Sequence, residues 1–106
     1  MSFFNLFKQS DINQGIQDFR NASDALLLDV RSPQEYREGH IPGSENIPLQ
    51  VIDKLPSVVQ NRDKELFVYC YSGARSREAV KVLRQLGYSQ VHNIGGNAAY
   101  SGKVER

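Results

Sequence analysis

The sequence predicts an α/β fold, a small parallel sheet flanked by helices on both faces. Three observations lead there. Apolar runs recur at 25–30 and 66–69, with a last strand read at 91–94, and unbroken runs rather than alternating ones mark strands covered on both faces. Each of the first two runs gives way within a few residues to a helical pattern, and strands alternating with helices at short intervals build parallel sheets. The helices also carry start and stop signals in the form of caps, prolines and glycines. A chain of 106 residues has the size of one domain, here taken as 1–106 with residues 1–8 peripheral.

In chain order, Phe3, Phe4, Leu6 and Phe7 form an apolar cluster that either packs as a short strand or docks on a partner. Ser10 or Asp11 caps a first helix whose Ile12, Ile16 and Phe19 share one face. The run 25–30 is the first strand. Ser32-Pro33-Gln34-Glu35 then opens a helix as a capping box, with Ser32 as N-cap, Pro33 at the first position and Glu35 reaching back. Gly39 stops it. A turn follows at 40–43, a short strand at 45–47, and a helix of one or two turns at 50–55 bounded by Pro48 and Pro56. The polar stretch 61–64 turns the chain into the strand that ends at Cys70. The longest helix covers 76–86, buries Ala79, Val80, Val82, Leu83 and Leu86, and ends at Gly87. A last strand at 91–94, a tight turn at Gly95-Gly96 and a helical turn at 97–100 complete the chain.

Composition narrows the function. A formal net charge of +1 gives no global attraction to nucleic acid or membranes, so neither is expected as a partner. One cysteine leaves no internal disulfide and no multi-cysteine metal site, and a thiol that stays reduced suits a cytoplasmic setting. No basic segment followed by a long apolar core stands at the N-terminus, and no run approaches a membrane span.

That single cysteine is placed tellingly. A strand that ends in Cys70 and turns straight into a helix puts the sulfur over the helix N-terminus, where unpaired N–H groups and the helix dipole favour negative charge. Arg75 and Arg77 add positive charge nearby. Such surroundings lower a thiol pKa from about 8.5 to between about 3.5 and 7.5. The bland reading is a small buried hydrophobe; the Gly-containing turn, the arginines and the helix onset favour a thiolate nucleophile in an anion cradle.

Cys70-Tyr71-Ser72-Gly73-Ala74-Arg75-Ser76 resembles the active-site loop of the rhodanese (sulfurtransferase) family, Cys-x-x-Gly-x-Arg followed by Ser or Thr. The similarity extends to Asp29-Val30-Arg31, Glu35-Tyr36, Gly39-His40-Ile41-Pro42-Gly43-Ser44, Asn46-Ile47-Pro48 and Gly95-Gly96, and covers the chain from about Leu27 to Gly102. It implies a rhodanese-like fold and a sulfurtransferase that takes a sulfane sulfur from thiosulfate or a persulfide and passes it to a thiophilic acceptor. Cys70 is then the nucleophile, and 71–76 (Tyr71, Ser72, Gly73, Ala74, Arg75 and Ser76), with Arg31, contact substrate. Arg75 either braces the loop or holds the anionic donor. No metal or organic cofactor is implied. Expected partners are small sulfur-containing anions, thiols, and a persulfide-bearing protein. A persulfide carrier or regulatory module with poor thiosulfate turnover is the rival reading. Cysteine-dependent phosphatases and arsenate reductases resemble His-Cys-x5-Arg; here four residues separate Cys70 from Arg75 and Tyr69 precedes the cysteine, so the smaller ring suits a single terminal sulfur. Tyr100 stands where many members have Trp, and Ser44 where Ala is common.

Other residues invite chemistry. Asp29 and Arg31 at a strand's end are read either as substrate contacts or, preferably, as an ion pair holding the loop. His40 is a conceivable base for Cys70, but the resemblance makes its turn structural. Glu35 is explained by capping, and His92 by packing or surface position.

Overall fold

The computed structural model describes residues 11–106. The Phe-rich cluster and Ser10 lie outside the described residues. Four parallel strands, β1 (Ala25–Asp29), β2 (Ser44–Asn46), β3 (Glu65–Cys70) and β4 (Val91–Gly96), form one sheet in the order β2-β1-β3-β4. Three α-helices accompany them: α1 (Ile12–Asn21) before β1, α2 (Pro33–Glu38) between β1 and β2, and α3 (Ala74–Gln85) between β3 and β4.

The alternation of β1 and β3 divides the core. Leu28, Val30, Leu66, Val68 and Cys70 face Ile52, Leu55, Ala79, Val80 and Leu83 of the 3₁₀ segment Leu49–Ser57 and α3. Leu27, Phe67 and Tyr69 face Ile12 and Ile16 of α1, with Ile41 and Ile94. Both faces are therefore covered, which is why these strands read as unbroken apolar runs. Each fully buried aliphatic or aromatic side chain contributes roughly 1.5–3 kcal/mol.

Cap chemistry sets the helix bounds. Asp11 accepts from the backbone N–H of Asn13 and Gln14 at the start of α1. Ser32 and Glu35 close a full capping box at α2, with Pro33 in its first turn. Three elements depart from the sequence expectation. The segment after Pro48 is 3₁₀ rather than α and runs through Pro56 to Ser57. α3 begins two residues before the expected Ser76, because Gly73 already turns the chain at φ 100°. Gly95 and Gly96 continue β4 instead of forming a turn; they pair with Tyr69 and Cys70 after a register shift between Val68 and Tyr69.

The chain leaves β1 for β2 on one side and then crosses to β3 on the other. Loops after β1 and β3 thus diverge at the strands' carboxyl ends, the place where open parallel sheets bind ligands. Arg31 and Cys70 stand at those two exits.

Candidate active site

Cys70 closes β3, and its sulfur caps the helix that follows. α3 has no side-chain cap of the usual kind. In its place, Cys70 Sγ accepts the backbone N–H of Gly73 at 3.0 Å and of Ser76 at 3.4 Å. The Ser76 hydroxyl lies 3.5 Å from the sulfur. Gly73 is needed here because its φ of 100° is left-handed, a conformation that costs residues with a Cβ. Burial pushes the Cys70 thiol up; hydrogen bonds from the Ser76 hydroxyl and from the N–H groups of Ser76, Gly73 and Ser72 outweigh it and bring the thiol below its ordinary value. The lowering comes from these fixed donors. Of the two arginines read from the sequence as pressing charge on the thiol, Arg75 feels the Cys70 charge but is bound first to Glu35, and Arg77 is exposed.

Arg75 forms a bidentate pair with Glu35, Nη1 to Oε1 at 2.7 Å and Nη2 to Oε2 at 3.0 Å. Its bracing role is the one the geometry displays. Glu35 also accepts the Ser32 N–H at 2.9 Å, so one carboxylate joins the cap of α2 to the first turn of α3. The Arg75 hydrogen bonds, offset in part by burial, hold Glu35 down at about 2. Arg77 lies on the flank of α3 beside Glu78, Lys81 and Arg84, around a pocket that Asn93 also lines.

Asp29 and Arg31 form the ion pair preferred from the sequence. Both are buried, and the Asp29 carboxylate accepts from the Arg31 N–H at 2.9 Å, Nε at 3.0 and 3.1 Å, and Nη2 at 2.7 Å. Arg31 Nη2 also donates to Gly39 O at 2.7 Å. In the amide orientation that satisfies both neighbours, Asn97 accepts from Arg31 Nη1 at 3.3 Å and donates to Cys70 O at 3.2 Å. Arg31 is thereby linked to the backbone of Cys70. It also lines a shallow cleft of about 260 Å³ with Glu35, Glu38, Gly39 and Tyr71.

Two residues escaped the sequence reading. Tyr69, hidden in an apolar run, is fully buried, and its hydroxyl donates to Asp29 Oδ2 at 2.8 Å and accepts from Ile41 N–H at 3.1 Å. Burial and the Asp29 charge keep that phenol protonated, with its pKa raised. Asn93 on β4 accepts from the Ser76 hydroxyl at 2.8 Å and from Gly95 N–H at 3.0 Å. No sequence pattern marked it, since an Asn inside a strand signals only a weak strand.

The loop is held from the β4 side as well. Ala98 N–H donates to Tyr71 O at 3.0 Å, and Gly96 packs so closely that a Cβ there would meet Tyr71 O and Ser72 Cα. Tyr71 itself is 55% exposed. His40 is structural in its contacts: Nδ1 lies 2.8 Å from Tyr36 O, the ring stacks on Tyr36 at 3.7 Å, and its backbone pairs with Glu105. His92 pairs with Glu65 at the surface. Among the described residues, no group of three or more His, Cys, Asp or Glu could hold a metal, and no helix is long and apolar enough to cross a membrane.

A strand-to-helix thiol cradled by N–H groups at the switch point of a parallel sheet defines a class of α/β domain with an anion-cradling cysteine, and comparison with known proteins gives its family. Residues 12–103 match the family model for the rhodanese-like domain, and the chain belongs to that family. It is 37% identical over 70 residues to the thiosulfate sulfurtransferase PspE of Escherichia coli, covering 65% of this chain and 67% of that protein. It is 33% identical over 105 residues to the thiosulfate sulfurtransferase GlpE of Pseudoalteromonas translucida, covering 94% and 98%. Among these curated relatives the matched share of the other protein runs from 26% to 98%, with 64% for one that is 37% identical. The rhodanese-like domain of an Anabaena protein superposes with a TM-score of 0.79 at 28% identity, covering 92% of this chain and 77% of that one.

Proposed function

We propose that the protein is a sulfurtransferase that moves a sulfane sulfur from thiosulfate or a persulfide to a thiophilic acceptor through a Cys70 persulfide. The observation that carries this reading is the hydrogen-bonded cradle around Cys70 Sγ, in a loop with four residues between Cys70 and Arg75. Family membership and the names of the two sulfurtransferase relatives support it.

In the first half-reaction the Cys70 thiolate attacks the outer sulfur of thiosulfate. A new S–S bond forms at Cys70, the S–S bond of the donor breaks, and sulfite leaves with its electron pair. In the second, a thiolate or cyanide attacks the terminal sulfur of the Cys70 persulfide, and Cys70 departs as the thiolate. This double displacement predicts ping-pong kinetics. Gly73 and Ser76 N–H groups stabilise the sulfur anion at the start and end of each cycle, as an oxyanion hole stabilises oxygen. Arg75 braces the loop through Glu35, Arg31 borders the substrate cleft, and Tyr71 to Ser76 form the rim and floor that meet the donor. No step calls for a metal or organic cofactor. A thiol that cycles through the persulfide works in a reducing compartment, here the cytoplasm.

The half-exposed Tyr71 favours a second reading, a persulfide carrier loaded by a protein partner. Intact mass after incubation with thiosulfate, with Cys70→Ser as control, tests the first. A gain of one sulfur on the wild type alone, removed by cyanide, is expected. No gain with Cys70 readily alkylated turns the choice to the carrier; no gain and no reactivity overturns both.

A further inference from the structure

We propose that Asn93 is a positioning residue for Cys70, acting through the Ser76 hydroxyl. Ser76 is fully buried, and its one hydroxyl proton is contested. Asn93 Oδ1 lies 2.8 Å away, Gly73 O 3.1 Å and Cys70 Sγ 3.5 Å. The first two are pure acceptors. The identity of Asn93 Oδ1 is fixed because it also accepts the Gly95 N–H at 3.0 Å. The nearest acceptor thus holds the hydroxyl proton away from the sulfur, and the oxygen lone pairs of Ser76 face Sγ. That arrangement suits a thiol, whose S–H then donates to Ser76 Oγ. It does not suit a thiolate, which needs the hydroxyl to turn and donate to it.

Ionisation of Cys70 therefore carries a local rearrangement. The thiol proton leaves to solvent or to an acceptor, and the Ser76 O–H rotates from Asn93 to the sulfur without itself ionising. Asn93, the nearer of the two backbone and side-chain acceptors, sets most of the cost of that rotation. Charged groups near Cys70 do not substitute for it. Arg75 on α3 is paired with Glu35 on α2, and Asp29 and Arg31 after β1 pair with each other. The side packed by the 3₁₀ segment and the inner face of α3 is apolar, with Ile52, Leu55, Ala79 and Val80, while Arg77, Glu78, Lys81 and Arg84 of α3 share a pocket with Asn93 on the helix flank. The titratable group of β4, His92, pairs with Glu65 at the surface.

The inference rests on Cys70 being the nucleophile, and alkylation tests it apart from sulfur transfer. Iodoacetamide rate is measured against pH for the whole chain as wild type, Asn93→Ala, Ser76→Ala and the double variant. Asn93→Ala removes the nearer rival acceptor and leaves Gly73 O, so the rate below the midpoint rises about two- to threefold, part of one hydrogen bond to an anion. Ser76→Ala shifts the profile to higher pH. The double variant coincides with Ser76→Ala, because Asn93 has nothing left to act through. An Asn93→Ala profile equal to the wild type, or moved upward, overturns the inference; so does a double variant in which the two changes simply add. Should Asn93→Ala not fold, Asn93→Asp keeps the size of the side chain. It raises the midpoint, and more in the Ser76 background than on Ser76→Ala; equal shifts overturn the inference. Sulfur loading of the same proteins by thiosulfate judges the transfer reading separately.

Discussion

Arg75→Ala removes the clamp between α2 and the active-site loop, and the size of the loss can be worked out. Glu35 falls from an ordinary 4.5 to about 2 when folded, with the Arg75 hydrogen bonds as first cause. Taken whole, that shift corresponds to roughly 3 kcal/mol. Solvent screening reduces it, since the Arg75 and Glu35 side chains are 37% and 33% exposed, and pairs at the surface return about 0.2–1 kcal/mol. The Ser32 N–H also keeps part of the depression in the variant. The expected loss is about 1 kcal/mol at neutral pH, or about 4–8 °C in Tm for a domain near this size. The pH dependence has a definite sign. A carboxylate lowered on folding stabilises fully above its unfolded value and loses that contribution as pH falls through its folded value. The gap between wild type and Arg75→Ala should stay constant above about pH 5 and close toward about pH 2. Urea unfolding across that range measures it. A gap unchanged at low pH, or absent at neutral pH, refutes the clamp. Sulfur loading from thiosulfate should fall about tenfold in Arg75→Ala, an effect worth about 1.4 kcal/mol, and far less in Arg77→Ala; the reverse order would show that the wrong arginine holds the loop.

Cys70 sits below its ordinary value, so its alkylation profile should have its midpoint below that of a free thiol, and a rate still climbing steeply through about pH 8.5 would mark an ordinary thiol. Tyr69→Phe strips the buried Ile41 N–H and the Asp29 carboxylate of one partner each. The expected cost is about 2–3 kcal/mol by denaturant titration, and a change under about 0.5 kcal/mol would contradict the central place given to that phenol. Gly96→Ala drives a methyl into Tyr71 O and to 2.6 Å from Ser72 Cα. Both neighbours are backbone and cannot step aside as a flexible side chain would, so sulfur loading should be lost before the fold is, as near-UV and far-UV circular dichroism with mass analysis would reveal.

The sequence was most informative where one local cause acts alone. The capping box at Ser32-Pro33-Gln34-Glu35 and the strand ending at Cys70 are written in contiguous residues, and both stand where they were expected. The layered α/β architecture was legible from unbroken apolar runs. Side chains with two duties were legible only in part. Glu35 was accounted for by its cap, which hid its second partner 40 residues away. Tyr69 passed as one more apolar residue because the alternation of β3 reveals which face it occupies but not that Asp29 waits there. Gly95 and Gly96 read as a turn because their spacing says nothing of the backbone that packs against them. Arg77, adjacent in sequence to the loop, falls on the helix flank because 100° of rotation per residue separates neighbours on a helix.

The carboxylate of Glu35, which seals the start of α2 and grips Arg75, also constrains how this chain can change over time. Losing Arg75 first leaves Glu35 with its cap but no cation. Losing Glu35 first opens the helix end and sets free an arginine beside the Cys70 loop. Neither single step is neutral, so positions 35 and 75 are open to exchange chiefly as a pair. What the loop after Cys70 can exchange is thereby tied to a helix of six residues.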